Sequence, residues 1–104
     1  MKPDKQKRLE AAGFKIGTAD DFLKLTPAES ELVTLRLSLA HDVRRRRIAL
    51  HFTQADLARR LGSSQSRIAK LEAAEPDVSL DFLFRAMFAT GAKRREVGQL
   101  IAAV

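Results

Sequence analysis

Gln65, Ser66, Arg67 and Lys70 fall within the stretch LGSSQSRIAK, which runs from Leu61 to Lys70. A glutamine or an arginine can form paired hydrogen bonds to a purine edge, whereas lysine suits a phosphate or a guanine. With a helix starting at Ser64, Ser66, Arg67 and Lys70 turn to the face opposite Ile68 and Leu71. Gln65 then sits at the exposed first turn. This is the chemistry of contact with a polyanion that carries hydrogen-bonding edges.

The charge distribution points the same way. The chain carries +6, but the segment from Arg44 to Lys70 alone carries +7, with eight basic residues and the single acid Asp56. The remainder carries −1. A positive field localised in this way favours nucleic acid first and an acidic membrane surface second. The four arginines Arg44 to Arg47 point in different directions on a helix, so one or two of them at most should meet phosphate.

Other chemistries find little to work with. Cysteine is absent, which excludes disulfides, thiolate metal sites and cysteine nucleophiles, and is in keeping with a reducing, cytoplasmic setting. No Gly-rich phosphate loop is present, and no serine has a base and an orienting acid, so an enzyme is not expected. His41 and His51 have no third ligand near them, so no metal and no cofactor is expected. Asp20 and Asp21 belong to a first helical turn, where carboxylates cap. With six Phe but no Tyr or Trp, a stacking platform for single strands has little material.

These side chains need a scaffold, and the chain of 104 residues reads as a single all-α domain. No apolar run is long enough to cross a bilayer, and the opening MKPDKQKRLEAAGF has no apolar signal region. Lys5 to Ala12 and a short helix capped by Thr18 are expected near the N-terminus. Thr26, Pro27 and Glu29 form a strong helix start, with a helix to about Leu50. Leu35, Leu39, Val43, Arg47 and Leu50 fall on its inner stripe. Arg47 is out of place there and needs a partner. Two short helices come next, about Gln54 to Leu61 and Ser64 to Ala73. Another begins at the cap Ser79 and stops at Gly91, burying Leu80, Leu83, Phe84, Met87 and Phe88. The last places Val97, Leu100, Ile101 and Val104 on one face.

Leu57, Ala58 and Leu61 share a face of one short helix, and Ile68 and Leu71 a face of the next. Gly62 stands between them, where a sharp left-handed turn costs glycine little. Ala58 lets the second helix cross close to the first. These features specify a helix-turn-helix. The stretch TQADLARRLGSSQSRIAKLE resembles the DNA-binding motif of the Cro/C1, or XRE, regulators. The matching positions are Gln54, Leu57, Ala58, Leu61, Gly62, Ser64, Gln65, Ile68, Leu71 and Glu72. The resemblance covers roughly Leu39 to Gly91 and implies a five-helix phage-repressor-like domain over residues 26–104. It departs from the pattern at Ser63, usually a small apolar residue, and at His51, where glycine often ends the preceding helix. Looser packing under the turn and a less regular helix end are the expected results.

The resemblance implies that the helix from Ser64 enters the major groove of double-stranded DNA, with Ser64, Gln65, Ser66, Arg67 and Lys70 at the contact. Gln54 would bind a phosphate at the N-terminus of the preceding helix. It also implies a pair between Arg47 and Glu72, and a homodimer on a two-fold operator with half-sites about one helical turn apart. The C-terminal apolar face could serve that dimer or the core. Residues 1–25 read as a short, helical N-terminal extension. The stretch GFKIGTADDFLKLTPAESELVTLRLSLA, from Gly13 to Ala40, resembles HigA-type antitoxins encoded beside RelE/HigB-type toxins. Phe14, Ile16, Phe22, Leu23 and Leu25 would be available to a toxin, to a second copy or to the core. A free-standing repressor and a helical protein-interaction module are the alternatives.

Overall fold

The computed structural model describes residues 24–103. The expected helices near Lys5 and Thr18, the apolar residues Phe14, Ile16, Phe22 and Leu23, and Val104 lie outside the described residues. Five helices succeed one another: α1 (Pro27–Ala49), α2 (Gln54–Leu61), α3 (Gln65–Glu72), α4 (Leu80–Ala89) and α5 (Arg94–Ala103). No strand is present among the described residues.

Each of the first four helices is capped by a side chain. The Thr26 and Thr53 hydroxyls accept from the N–H groups of Glu29 and Asp56, whose carboxylates accept in return from Thr26 and Thr53 N–H. Ser64 and Ser79 accept from the N–H groups of Arg67 and Phe82. Satisfying orphan donors in this way is worth about 1 kcal/mol per cap.

The ends of these helices are alike as well. Beyond α1, Phe52 N–H donates to Arg47 O at 3.0 Å and His51 N–H to Ile48 O at 2.9 Å. The same pair of bonds closes α2 through Ser63 and Gly62, α3 through Glu75 and Ala74, and α4 through Ala92 and Gly91. The turning residue is left-handed each time, with φ of 60° at His51, 63° at Gly62, 57° at Ala74 and 95° at Gly91. Only two of the four are glycine. The helix end at His51 is therefore regular, not irregular as the missing glycine suggested. A side-chain-bearing residue occupies the conformation at a cost of about 1–2 kcal/mol.

The core draws on all five helices. Leu39 and Val43 from α1, Leu57 from α2, Ile68 and Leu71 from α3, and Leu83 and Met87 from α4 are fully buried. Val97 of α5 is buried too, and Leu25 packs against the core from outside α1. Each buried side chain of this size contributes roughly 1.5–3 kcal/mol by leaving water. α1 packs chiefly on α4, and α2 on α3.

Three apolar positions, two of them expected in the core, are exposed. Leu50 (44% exposed) lies just past the last residue of α1, so its side chain leaves the inner stripe. Phe88 and Ile101 also face outward, near the ends of their helices. Phe82, off the expected stripe of α4, is buried in their stead.

Candidate nucleic-acid interface

The turn between α2 and α3 rests on Gly62. A Cβ placed there would meet nothing within 4 Å, so the positive φ alone favours glycine. Ser63 is next, and its Oγ is buried with no hydrogen-bond partner. The departure from the apolar pattern at this position thus costs the turn an unsatisfied polar atom. Ser64 caps α3, Ile68 and Leu71 anchor it, and Gln65, Ser66, Arg67 and Lys70 are all exposed.

A polar relay ties this exposed face to the interior. Arg47 Nε and Nη2 donate to Glu72 Oε2 at 2.6 Å and Oε1 at 3.0 Å, and Nη1 donates to the Phe52 carbonyl at 2.7 Å. The pair that the family resemblance implied for Arg47 is present. It is also well buried, with side chains 11% and 4% exposed. The hydrogen bond to Glu72 keeps the Arg47 guanidinium pKa above its ordinary value despite burial. Gln54 Nε2 donates to Glu72 Oε1 at 3.2 Å, and Gln65 Nε2 donates to Gln54 Oε1 at 2.6 Å. The Gln54 amide is thus engaged at both ends, between the buried carboxylate and the first residue of α3.

Arg67 lies on the other flank of α3. Its guanidinium stacks over the Phe82 ring, 4.4 Å from the centroid, with that of Arg85 at 5.9 Å. Arg85 also donates to Leu61 O at 3.4 Å, at the end of α2. Arg67, Lys70, Asp77, Val78, Ser79 and Phe82 line an open hollow of about 430 Å³. Arg36 of α1 donates to Val78 O and so ties down the loop that lines part of this hollow.

The charge is less concentrated than a count along the chain implies. Arg45 and Arg46 converge on buried Asp42 at 2.5 and 2.7 Å, and Arg46 also meets Glu96 of α5 at 3.1 Å. Burial alone would raise the pKa of Asp42. Hydrogen bonds and charge from Arg46 and Arg45 outweigh it, and the pKa falls below the ordinary value. Arg59 pairs with Asp56. Acids outside the counted window, Asp42, Glu72 and Glu96, neutralise three of the four consecutive arginines. Among the described residues, Arg44, Arg60, Arg67 and Lys70 have no carboxylate at ion-pair distance. Arg60 stacks on Phe52 at 4.3 Å.

The α2–turn–α3 unit thus brings Gln54, Ser64, Gln65, Ser66, Arg67 and Lys70 to one region and divides them between two flanks. Phe82 and Arg85 belong to the same surface and escaped the sequence reading. Phe82 meets Arg67, and Arg85 meets the end of α2, only across helices, so no spacing along the chain announces them. No group of three or more metal-ligating side chains occurs among the described residues, and no helix described is long and apolar enough to cross a membrane.

Residues 43–87, less than half of the chain, match the model of a helix-turn-helix family. The match spans Arg47, α2, the turn, α3 and most of α4, and it supports a helix-turn-helix DNA-binding regulator. No curated protein and no solved structure matches the chain.

Proposed function

We propose that this helix-turn-helix chain is a sequence-specific regulator of transcription, a repressor that presents α3 to the major groove of double-stranded DNA. The observation that carries the reading is the division within α3. Ile68 and Leu71 are fully buried, while Gln65, Ser66, Arg67 and Lys70 stand exposed with no neutralising carboxylate at Arg67 or Lys70. An α-helix of this width fits the major groove, where each base pair shows a distinct pattern of donors and acceptors. Gln65 and Ser66 are assigned to base edges, Lys70 to phosphate, and the relay through Gln54 fixes the direction of Gln65.

Selection of bound duplexes from a random pool, with gel-shift titration across salt, tests this. Gln65→Ala is expected to weaken the selected duplex by about ten-fold or more and random duplex hardly at all, the usual worth of a paired base contact. Lys70→Ala should weaken both and lower the salt slope by about one. Failure to retain any duplex at low salt would refute the reading and leave a protein-interaction module.

The finer proposal is an autorepressing antitoxin: a cytoplasmic homodimer that binds a RelE/HigB-type toxin and its own operator. The resemblance of residues 13–40 to such antitoxins supports it. A small toxin-like gene next to this one, whose product co-purifies with the chain and tightens its hold on the shared promoter, would bear this out. With neither neighbour nor partner, a free-standing repressor stands.

A further inference from the structure

The two flanks of α3 are built differently. Gln65 is drawn towards α2, where its amide donates to Gln54. Arg67 is drawn the other way, towards α4, and its guanidinium rests 4.4 Å from the centroid of the Phe82 ring. Phe82 is only 4% exposed, so its ring is set in the body of the domain. A guanidinium stacked on it lies along the domain surface. It does not project from the crest of α3. Arg85 approaches the same ring from its own helix and is held to the end of α2. Lys70 lines the same hollow as Arg67. The two cations without carboxylate partners on α3 thus share the α4 flank, and Asp77, on the rim of the same hollow, disfavours an anion seated deep inside it.

A side chain that reads a base must cross the groove from the crest of the helix. One held flat at the flank meets the sugar–phosphate wall instead. We propose that Phe82 is a positioning residue for DNA binding, holding Arg67 against α4 so that Arg67 grips the phosphate backbone and leaves the bases to Gln65 and Ser66. The sequence alone places Arg67 among the base readers, and the stack on Phe82 reassigns it. This inference rests on the DNA-binding reading above.

The test uses the full chain, the duplex it selects from a random pool, and a random-sequence duplex of equal length. R67A is expected to lower affinity for both duplexes by a similar factor, to reduce the salt slope by about 0.9, and to leave the selected base preferences unchanged. F82L keeps the charge and most of the volume but removes the ring. In that background R67A should cost about three-fold less affinity than in the parent chain, the scale of an exposed cation–π contact. F82Y, which retains an aromatic face, should restore the full effect of R67A.

A purely structural role for Phe82 predicts additive losses from R67A and F82L, and that result overturns the positioning role. Relaxation of one base position in R67A, with an unchanged salt slope, overturns the phosphate assignment. If F82L loses its fold, R67K serves instead, since lysine keeps the charge without the planar stack. R67K should preserve slope and base preference, and a changed base preference overturns the proposal. A chain that retains no duplex at low salt removes the DNA-binding reading itself, an outcome distinct from all of these.

Discussion

Replacing Arg47 by alanine removes three hydrogen bonds, two to Glu72 and one to the Phe52 carbonyl. What remains matters more than what is lost. The Glu72 side chain is 4% exposed, so its carboxylate keeps only the Gln54 amide and has almost no access to water. Breaking a buried pair from one side costs about 3–5 kcal/mol. For a domain of this size each kcal/mol lowers Tm by about 4–8 °C, so Arg47→Ala should lose at least about 12 °C. Arg45→Ala is the matched control. Its side chain is 59% exposed, and its partner Asp42 retains Arg46. An exposed pair of this kind is worth about 0–1 kcal/mol, so the control should shift by roughly 8 °C or less. Thermal melts monitored by circular dichroism read both. Replacing the pair together, Arg47→Met with Glu72→Leu, should recover most of the loss because no charge is stranded. Equal melting temperatures for Arg47→Ala and Arg45→Ala would refute the reasoning.

Three further outcomes are expected from the same geometry. Ser63→Ala should stabilise the domain by about 1 kcal/mol in urea titration, because it removes a buried hydroxyl that has no partner; a loss of stability would mean that the hydroxyl is satisfied. His51→Gly should stabilise by up to about 1 kcal/mol by relieving a left-handed residue, and Gly62→Ala, at nearly the same φ, should destabilise by a similar amount; the same sign for both would sink the argument. Asp42, Glu29, Asp56 and Glu96 all have lowered pKa values, the first through Arg46 and Arg45 against its burial, the others first through backbone N–H groups at helix starts. A lowered folded pKa contributes stability that is complete above the unfolded value and lost as pH falls through the folded one. Melts should therefore be flat above about pH 5 and decline steadily below about pH 4.5, less steeply in Asp42→Asn; a flat profile down to about pH 3 would contradict this.

The sequence revealed the helix starts better than the helix ends. Thr26, Ser64 and Ser79 cap as their residue types suggest, because a short hydroxyl beside a helical pattern has few other uses. Gly62 and Gly91 were legible as stops for a similar reason. His51 and Ala74 turn the chain in the same way but bear a Cβ, and local preference argues against the conformation that the surrounding packing enforces. Arg47 could be found because a charge on an apolar stripe needs an explanation. Asp42 could not, since an acid three and four residues before arginines on one helix reads as a solvated pair, and its burial leaves no trace in spacing. The same limit applies to charge. A count along the chain sees Arg44 to Lys70 as one basic block, whereas three of its arginines pair with acids from outside the block.

The length of α2 and α3 has a consequence for how the surface behaves over time. Each is eight residues long, barely two turns, and segments that short do not persist in water on their own. The outward face of α3 therefore has no existence apart from the folded whole, and no partly opened form retains it. Deuterium should enter the amides of Ile68 and Leu71 only when the entire domain opens, while the exposed first turn of α1, at Ala28 and Glu29, exchanges far earlier. Any molecule that grips that face must then slow exchange everywhere in the core, including at helices it never touches.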